Sequence, residues 1–163
     1  MLLVAFVASV TLIVVVAEYT VLAPGRSSQI ESTLVIDFGT ESPSFMPGHT
    51  LNFTEAHGVW SYTVSNSSIS EYIFSNVSIT NDSAWSLMQA SSAAMKSATG
   101  VNLTFKTVYF PEYGESQITG IQGVSDTNTL FWQYTVSGQP AAYGAQLEML
   151  KQGDVVVWSM SPA

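Results

Sequence analysis

The sequence predicts an α+β protein, with a long hydrophobic N-terminal helix followed by a β-rich head containing one short helix. Three observations predict it. Residues 1–22 carry no basic residue and a single acid, Glu18. From residue 33 onward, short β-branched and aromatic runs alternate with Gly and Pro, the punctuation of strands and turns. One stretch alone, about Ser83 to Ser97, spaces its apolar residues as a helix does.

The elements follow in order. As a helix, residues 1–22 would be roughly 33 Å long, about the thickness of a bilayer core. Valine is common in the segment but does not argue against a helix, because in an apolar medium backbone satisfaction outweighs propensity. Ala23-Pro24-Gly25 ends it, and residues 23–32 read as a polar linker. The head then occupies residues 33–163, enough for one domain with a real core. Strands are expected at Thr33–Phe38, Thr50–Thr54, Gly58–Val64 and Glu71–Ile79. In the third, Trp60, Tyr62 and Val64 share one face. The head helix has Asn81 and Asp82 as candidate caps and Gly100 beyond its end. Ala84, Trp85, Met88, Ser92 and Met95 are expected to face a sheet. Four further strands are expected, at Asn102–Tyr109, Ser116–Ile121, Leu130–Val136 and Gly153–Ser159. Ser137-Gly138-Gln139-Pro140 should turn the chain.

Composition bounds the function. The chain has 163 residues, no cysteine, and 4 Lys plus Arg against 12 Asp plus Glu, for a net charge of −8. That balance disfavours nucleic acid and anionic lipid surfaces. Charged residues are 10 % of the chain, well under the roughly 25 % of an ordinary soluble domain. Hydroxyls and amides supply the polar surface instead, as in exported surface proteins. Five Asn-x-Ser/Thr sequons point the same way: Asn52, Asn66, Asn76, Asn81 and Asn102. N-linked glycans are the only added group expected, with no cofactor and no metal.

Little supports catalysis, and an enzyme is not expected. His49 and His57 have no Cys or HExxH companion, and no Gly-x-Ser-x-Gly elbow occurs. Glu112 and Glu115 flank Tyr113-Gly114 and read as a solvated turn. Tyr109, Phe110, Tyr113, Phe131, Trp132 and Tyr134 form an aromatic set suited to core packing, sugar stacking or a subunit contact. Phe131 and Trp132 are the expected core members, and Tyr109, Tyr113 and Tyr143 the expected exposed contacts.

Two resemblances add to this. The apolar run ending at Ala23-Pro24-Gly25 resembles the N-terminal helix of archaeal type IV pilins. It departs from bacterial pilins in having Ala5 near the start, where they carry Glu. The resemblance implies a mature tail whose basic leader was removed. Leu2, Leu3, Phe6, Val7, Val10, Ile13, Val14 and Val15 would then pack in a filament core. A membrane anchor, a signal peptide and an extended donor strand are the alternatives for the same residues. The second resemblance rests on Ile118-Thr-Gly-Ile-Gln-Gly-Val124, Phe131-Trp-Gln-Tyr-Thr-Val-Ser-Gly138, Tyr143-Gly-Ala145 and Gly153-Asp-Val-Val-Val-Trp158. From about Val77 to Met160 the chain is similar to a widespread extracellular domain related to the C-terminal domain of transcobalamin. That implies a β-grasp-like head. Ser137 stands where that family usually has Asn, at a turn position that favours a left-handed backbone.

The expectation is therefore a subunit of an extracellular, cell-surface filament of the type IV pilus kind. Copies of the chain would form a helical homopolymer, held in the membrane before assembly. The glycosylated heads would lie outside, where they could serve adhesion. The alternative is a membrane-anchored extracellular ligand-binding module.

Overall fold

A computed structural model describes residues 29–162. The expected tail helix and its filament-core positions lie outside the described residues. The head is built from β1 (Ile30–Gly39), β2 (His49–Ala56), β3 (Val59–Asn66), β4 (Ser70–Ile79), α1 (Ala84–Thr99), β5 (Phe105–Phe110), β6 (Glu115–Ile121), β7 (Val124–Ser125), β8 (Phe131–Val136), β9 (Gln139–Pro140) and β10 (Val155–Ser161).

Seven strands form one mixed sheet in the order β3-β2-β4-β1-β10-β8-β9, and β5-β6-β7 form a small second sheet. Two pairings in the large sheet are parallel, β1 with β10 and β2 with β4. Alternation decides which face is core. In β1, Leu34, Ile36 and Phe38 are buried while Thr33, Val35 and Asp37 are half-buried. The same face receives Leu51 and Phe53, Tyr72 and Phe74, and Val156 and Trp158. The opposite face carries the alternate residues of each strand. Register aligns Thr63, Asn52, Ile73, Val35, Val157 and Thr135 in one row across six strands.

Strand β1 begins at Ile30, inside the expected 23–32 linker. The three extra residues pair: Ile30 lies opposite Ile79, Gly153 N–H donates to Glu31 O, and Ser32 is buried. Polar composition had concealed a strand whose partners lie far along the chain.

Helix α1 lies against β3, β4, β1 and β2. Its N-cap is Ser83, whose Oγ accepts from Ser86 N–H at 3.2 Å, not Asn81 or Asp82. Asp82 is held outside the helix, where its carbonyl accepts from Leu150 N–H. Gly100 closes the other end with φ +79, donating to Lys96 O. Ala84, Leu87, Met88, Ser91, Ala94 and Met95 face the sheet. Trp85 and Ser92 stand one step round from that stripe: Trp85 packs on Phe105, and Ser92 Oγ donates to Leu103 O.

Three hairpins use two-residue turns with positive φ at both positions: His57-Gly58, Gln122-Gly123 and Ser137-Gly138. Such turns match the right-handed twist of their strands. Ser137 takes φ +48 in place of the better-suited Asn. Its hydroxyl donates to Asp154 Oδ1 at 2.7 Å and its N–H donates to Val155 O, which holds the turn.

Candidate functional site

At the end of the sheet remote from β3, Tyr134 on β8 and Trp158 on β10 are register partners on the core-facing side. Their rings stack with centroids 4.5 Å apart. Helix α1 does not roof this pair as it does β4. The turn between β5 and β6 and the segment 141–145 stand over it instead. Between them is a cleft of about 610 Å³, within the usual range for small-molecule sites.

Each wall is fixed by a specific bond. Phe110 O accepts from Tyr113 N–H and Gly114 N–H, closing the turn that carries Tyr113. Glu115 begins β6, and its Oε2 accepts from Gly144 N–H at 2.8 Å. A Cβ on Gly144 would overlap that carboxylate, so only glycine allows the approach. The next residue, Ala145, is buried, and its carbonyl accepts from Trp85 N–H, while Glu148 O accepts from Ala84 N–H. The Gly-Ala dipeptide thus ties the cleft wall to the open first turn of α1, satisfying donors that every helix leaves over. Tyr134 Oη donates to Tyr143 O at 2.6 Å. Burial, with smaller contributions from the Glu148 and Glu115 charges, pushes the Tyr134 hydroxyl well above the ordinary tyrosine range, so it remains a donor. Asp126, also on the wall, accepts from Trp132 N–H through Oδ1 at 2.9 Å.

The two tryptophans of the cleft differ. Trp132 donates from Nε1 to Val124 O at 3.0 Å. Trp158 is 3 % exposed, and its Nε1 has no acceptor among the described residues. An unpaired buried donor costs about 1–3 kcal/mol. Tyr113 and Tyr143 stand at the rim, 70 % and 62 % exposed. The arrangement is an aromatic trough with two backbone-braced carboxylates and no Lys, Arg or His in its lining.

Of the residues singled out in sequence, Phe110, Tyr113, Glu115, Phe131, Trp132, Tyr134 and Tyr143 come together in this lining. Tyr109, 60 % exposed, lies on β5 outside the lining. Trp132 is buried, as a core residue should be, while Phe131 is only half-buried because it lies on the other face of β8. Glu112 is exposed in its turn, whereas Glu115 is drawn inward by Gly144 rather than solvated. Asp126, Gly144 and Trp158 were missed as site residues. The Tyr-Gly-Ala and Val-Val-Val-Trp runs were the signal, without indicating what they bind. The five sequon asparagines lie outside the cleft, on β2, β3, β4 and the segments flanking α1. Asn52 is half-buried on the sheet face opposite the core and the other four are exposed.

The stretch from α1 to β10 contains all of these walls. Residues 85–161 match the family described as Domain of unknown function (DUF4430). That is just under half of the chain, and almost the stretch on which the second resemblance was drawn. No curated protein matches the sequence. Among solved structures, the chain is similar to one titled "Crystal Structure of Haptocorrin in Complex with Cbi", with a TM-score of 0.48 and 16 % identity. The likeness covers 83 % of this chain and 26 % of that one, so this chain spans about a quarter of that protein's length.

Proposed function

We propose that the head is an extracellular binding module for a small ligand, a β-grasp-like domain displayed at the cell surface by the apolar segment 1–22. The observation that carries this reading is the cleft over Tyr134 and Trp158. It is concave, rich in aromatic rings, and braced by backbone hydrogen bonds to two carboxylates. Binding rather than catalysis is its task. The sequons support the extracellular setting: all five lie away from the cleft, so glycans on them would leave its mouth open.

The filament reading is favoured by a different observation, the length and apolarity of residues 1–22. Copies of the chain would then pack their tails in a core, with hydrophobic burial of about 25 cal/mol per Å² as the cohesive term. Shearing cells without detergent separates the two readings. An anchored module stays in membranes until detergent extracts it, with residues 1–22 found by mass spectrometry of the N-terminal peptide. Long filaments containing the chain, abolished by Val14→Asp with Val15→Asp while the head stays folded, would favour the polymer. A chain recovered in the medium without residues 1–22 would overturn both forms of display.

A further inference from the structure

The chemistry of the cleft restricts its ligand. We infer that it takes a neutral polyhydroxylated ring, a pyranose or a short neutral saccharide; the inference rests on the cleft being the binding site. Three properties of the lining carry it. The first is sign. Glu115 and Asp126 line the cleft without any basic residue, in a chain of net charge −8, so an anionic ligand is repelled. The second is the demand for donors. Each carboxylate takes one backbone N–H through one oxygen, from Gly144 to Glu115 Oε2 and from Trp132 to Asp126 Oδ1. These bonds fix the carboxylates while leaving acceptor capacity for a ligand's hydroxyls. A purely apolar ligand would strip water from both carboxylates and return nothing.

The third property is the aromatic surface beside those acceptors. Tyr113 and Tyr143 hold large rings at the rim, mostly in solvent, above the stacked Tyr134 and Trp158 rings. A sugar ring answers all three: it is neutral, its O–H groups donate to the carboxylates, and its C–H groups meet the aromatic faces. Gln117 and Ser116 add neutral groups that give and accept in both directions, which hydroxyls match and a simple cation does not.

The test uses the full chain in a polyoxyethylene detergent, whose headgroup carries neither sugar nor cation. Neutral mono- and disaccharides of glucose, galactose, mannose and N-acetylglucosamine are titrated by calorimetry, beside glucuronic acid and tetramethylammonium. We expect at least one neutral saccharide to saturate the protein. Tyr113→Ala should weaken it at least tenfold. Glu115→Gln, which keeps an acceptor for Gly144 N–H, should weaken it several-fold. Glucuronic acid should bind more weakly than glucose. Both side chains lie at the cleft mouth or its edge, and an unchanged melting temperature verifies that each variant folds. Saturation by tetramethylammonium alone, lost in Tyr113→Ala, would overturn the saccharide class and leave the cleft reading standing. Saccharide binding unaffected by Tyr113→Ala and Glu115→Gln would overturn the assignment to this cleft. No saturable binding by any saccharide would overturn the inference. Failure of tetramethylammonium to bind as well would then overturn the cleft reading.

Discussion

The two ends of the seven-stranded sheet use the same local device and finish it differently. At the β2–β4 end, Phe53 and Phe74 stack with centroids 4.4 Å apart and rings nearly parallel, and both are fully buried. At the β8–β10 end, Tyr134 and Trp158 stack almost as closely, at 4.5 Å. The first pair is sealed by the apolar stripe of α1, with Leu87, Met88 and Met95 all buried. The second is covered by loops held by hydrogen bonds rather than by an apolar helix face, and a cleft remains. Helix α1 lies on β3, β2, β4 and β1, and the end formed by β10, β8 and β9 is left to loops. Close packing at one end and a recess at the other divide scaffold from candidate site.

The largest expected effect lies at the sealed end. Phe74→Ala removes a stacked, fully buried ring, and a loss of about 3–5 kcal/mol is expected in urea melts of the head. A loss under about 1 kcal/mol would mean that this end is not the stabilising half. At the open end the expected effect is smaller and more local. Gly144→Ala displaces the Glu115 carboxylate and its charge-assisted bond, for about 1–3 kcal/mol. In a Glu115→Ala background the same change should cost much less, because the overlap is gone. Additive costs in that double-mutant cycle would show that the two residues are not coupled.

Much of this was legible in the sequence. β-branched and aromatic runs punctuated by Gly and Pro located every strand of more than two residues within a few positions, and apolar spacing with Gly100 beyond it located α1. The order of strands was not legible. The parallel pair β1–β10 joins Val35 to Val157, and no local pattern encodes a partnership at that separation. The site was only half legible, for the same reason. Glu115 was read beside its neighbours Glu112 and Tyr113, as part of a turn. What fixes it is Gly144, 29 residues away. Tyr113 and Tyr143 were readable as exposed aromatic residues, but their convergence on one cleft depends on two distant loops meeting.

The smallest expected effect comes from the sheet face opposite the core. Asp37 and Glu71 are direct register partners. Partial burial, then the Asp37 charge, raises the Glu71 carboxyl above its ordinary value. A raised carboxyl binds its proton more tightly in the folded state, so stability rises as pH falls from neutral through that raised value. The gain is complete below the unfolded value of about 4.3. Glu71→Gln should accordingly stabilise the protein at pH 7 by a few tenths of a kcal/mol, after solvent screening. The advantage should vanish near pH 4. Thermal melts of the two proteins across that range check the sign, and a variant less stable at pH 7 would refute it.

The central claim is that the ligand site is the loop-roofed end and not the helix-roofed end. The most direct test is a proton–nitrogen correlation spectrum of the full chain, recorded with and without the neutral saccharide that saturates it. The indole N–H signals of the four tryptophans report on different places: Trp132 and Trp158 line the cleft, Trp60 lies in β3 at the far edge of the sheet, and Trp85 opens α1 on Ala145. Shifts at the Trp158 and Trp132 indoles and the Gly144 amide, with Trp60 unmoved, are the predicted result. Shifts centred on Trp60 and the β2–β3 hairpin, with Trp158 and Gly144 unmoved, would contradict it.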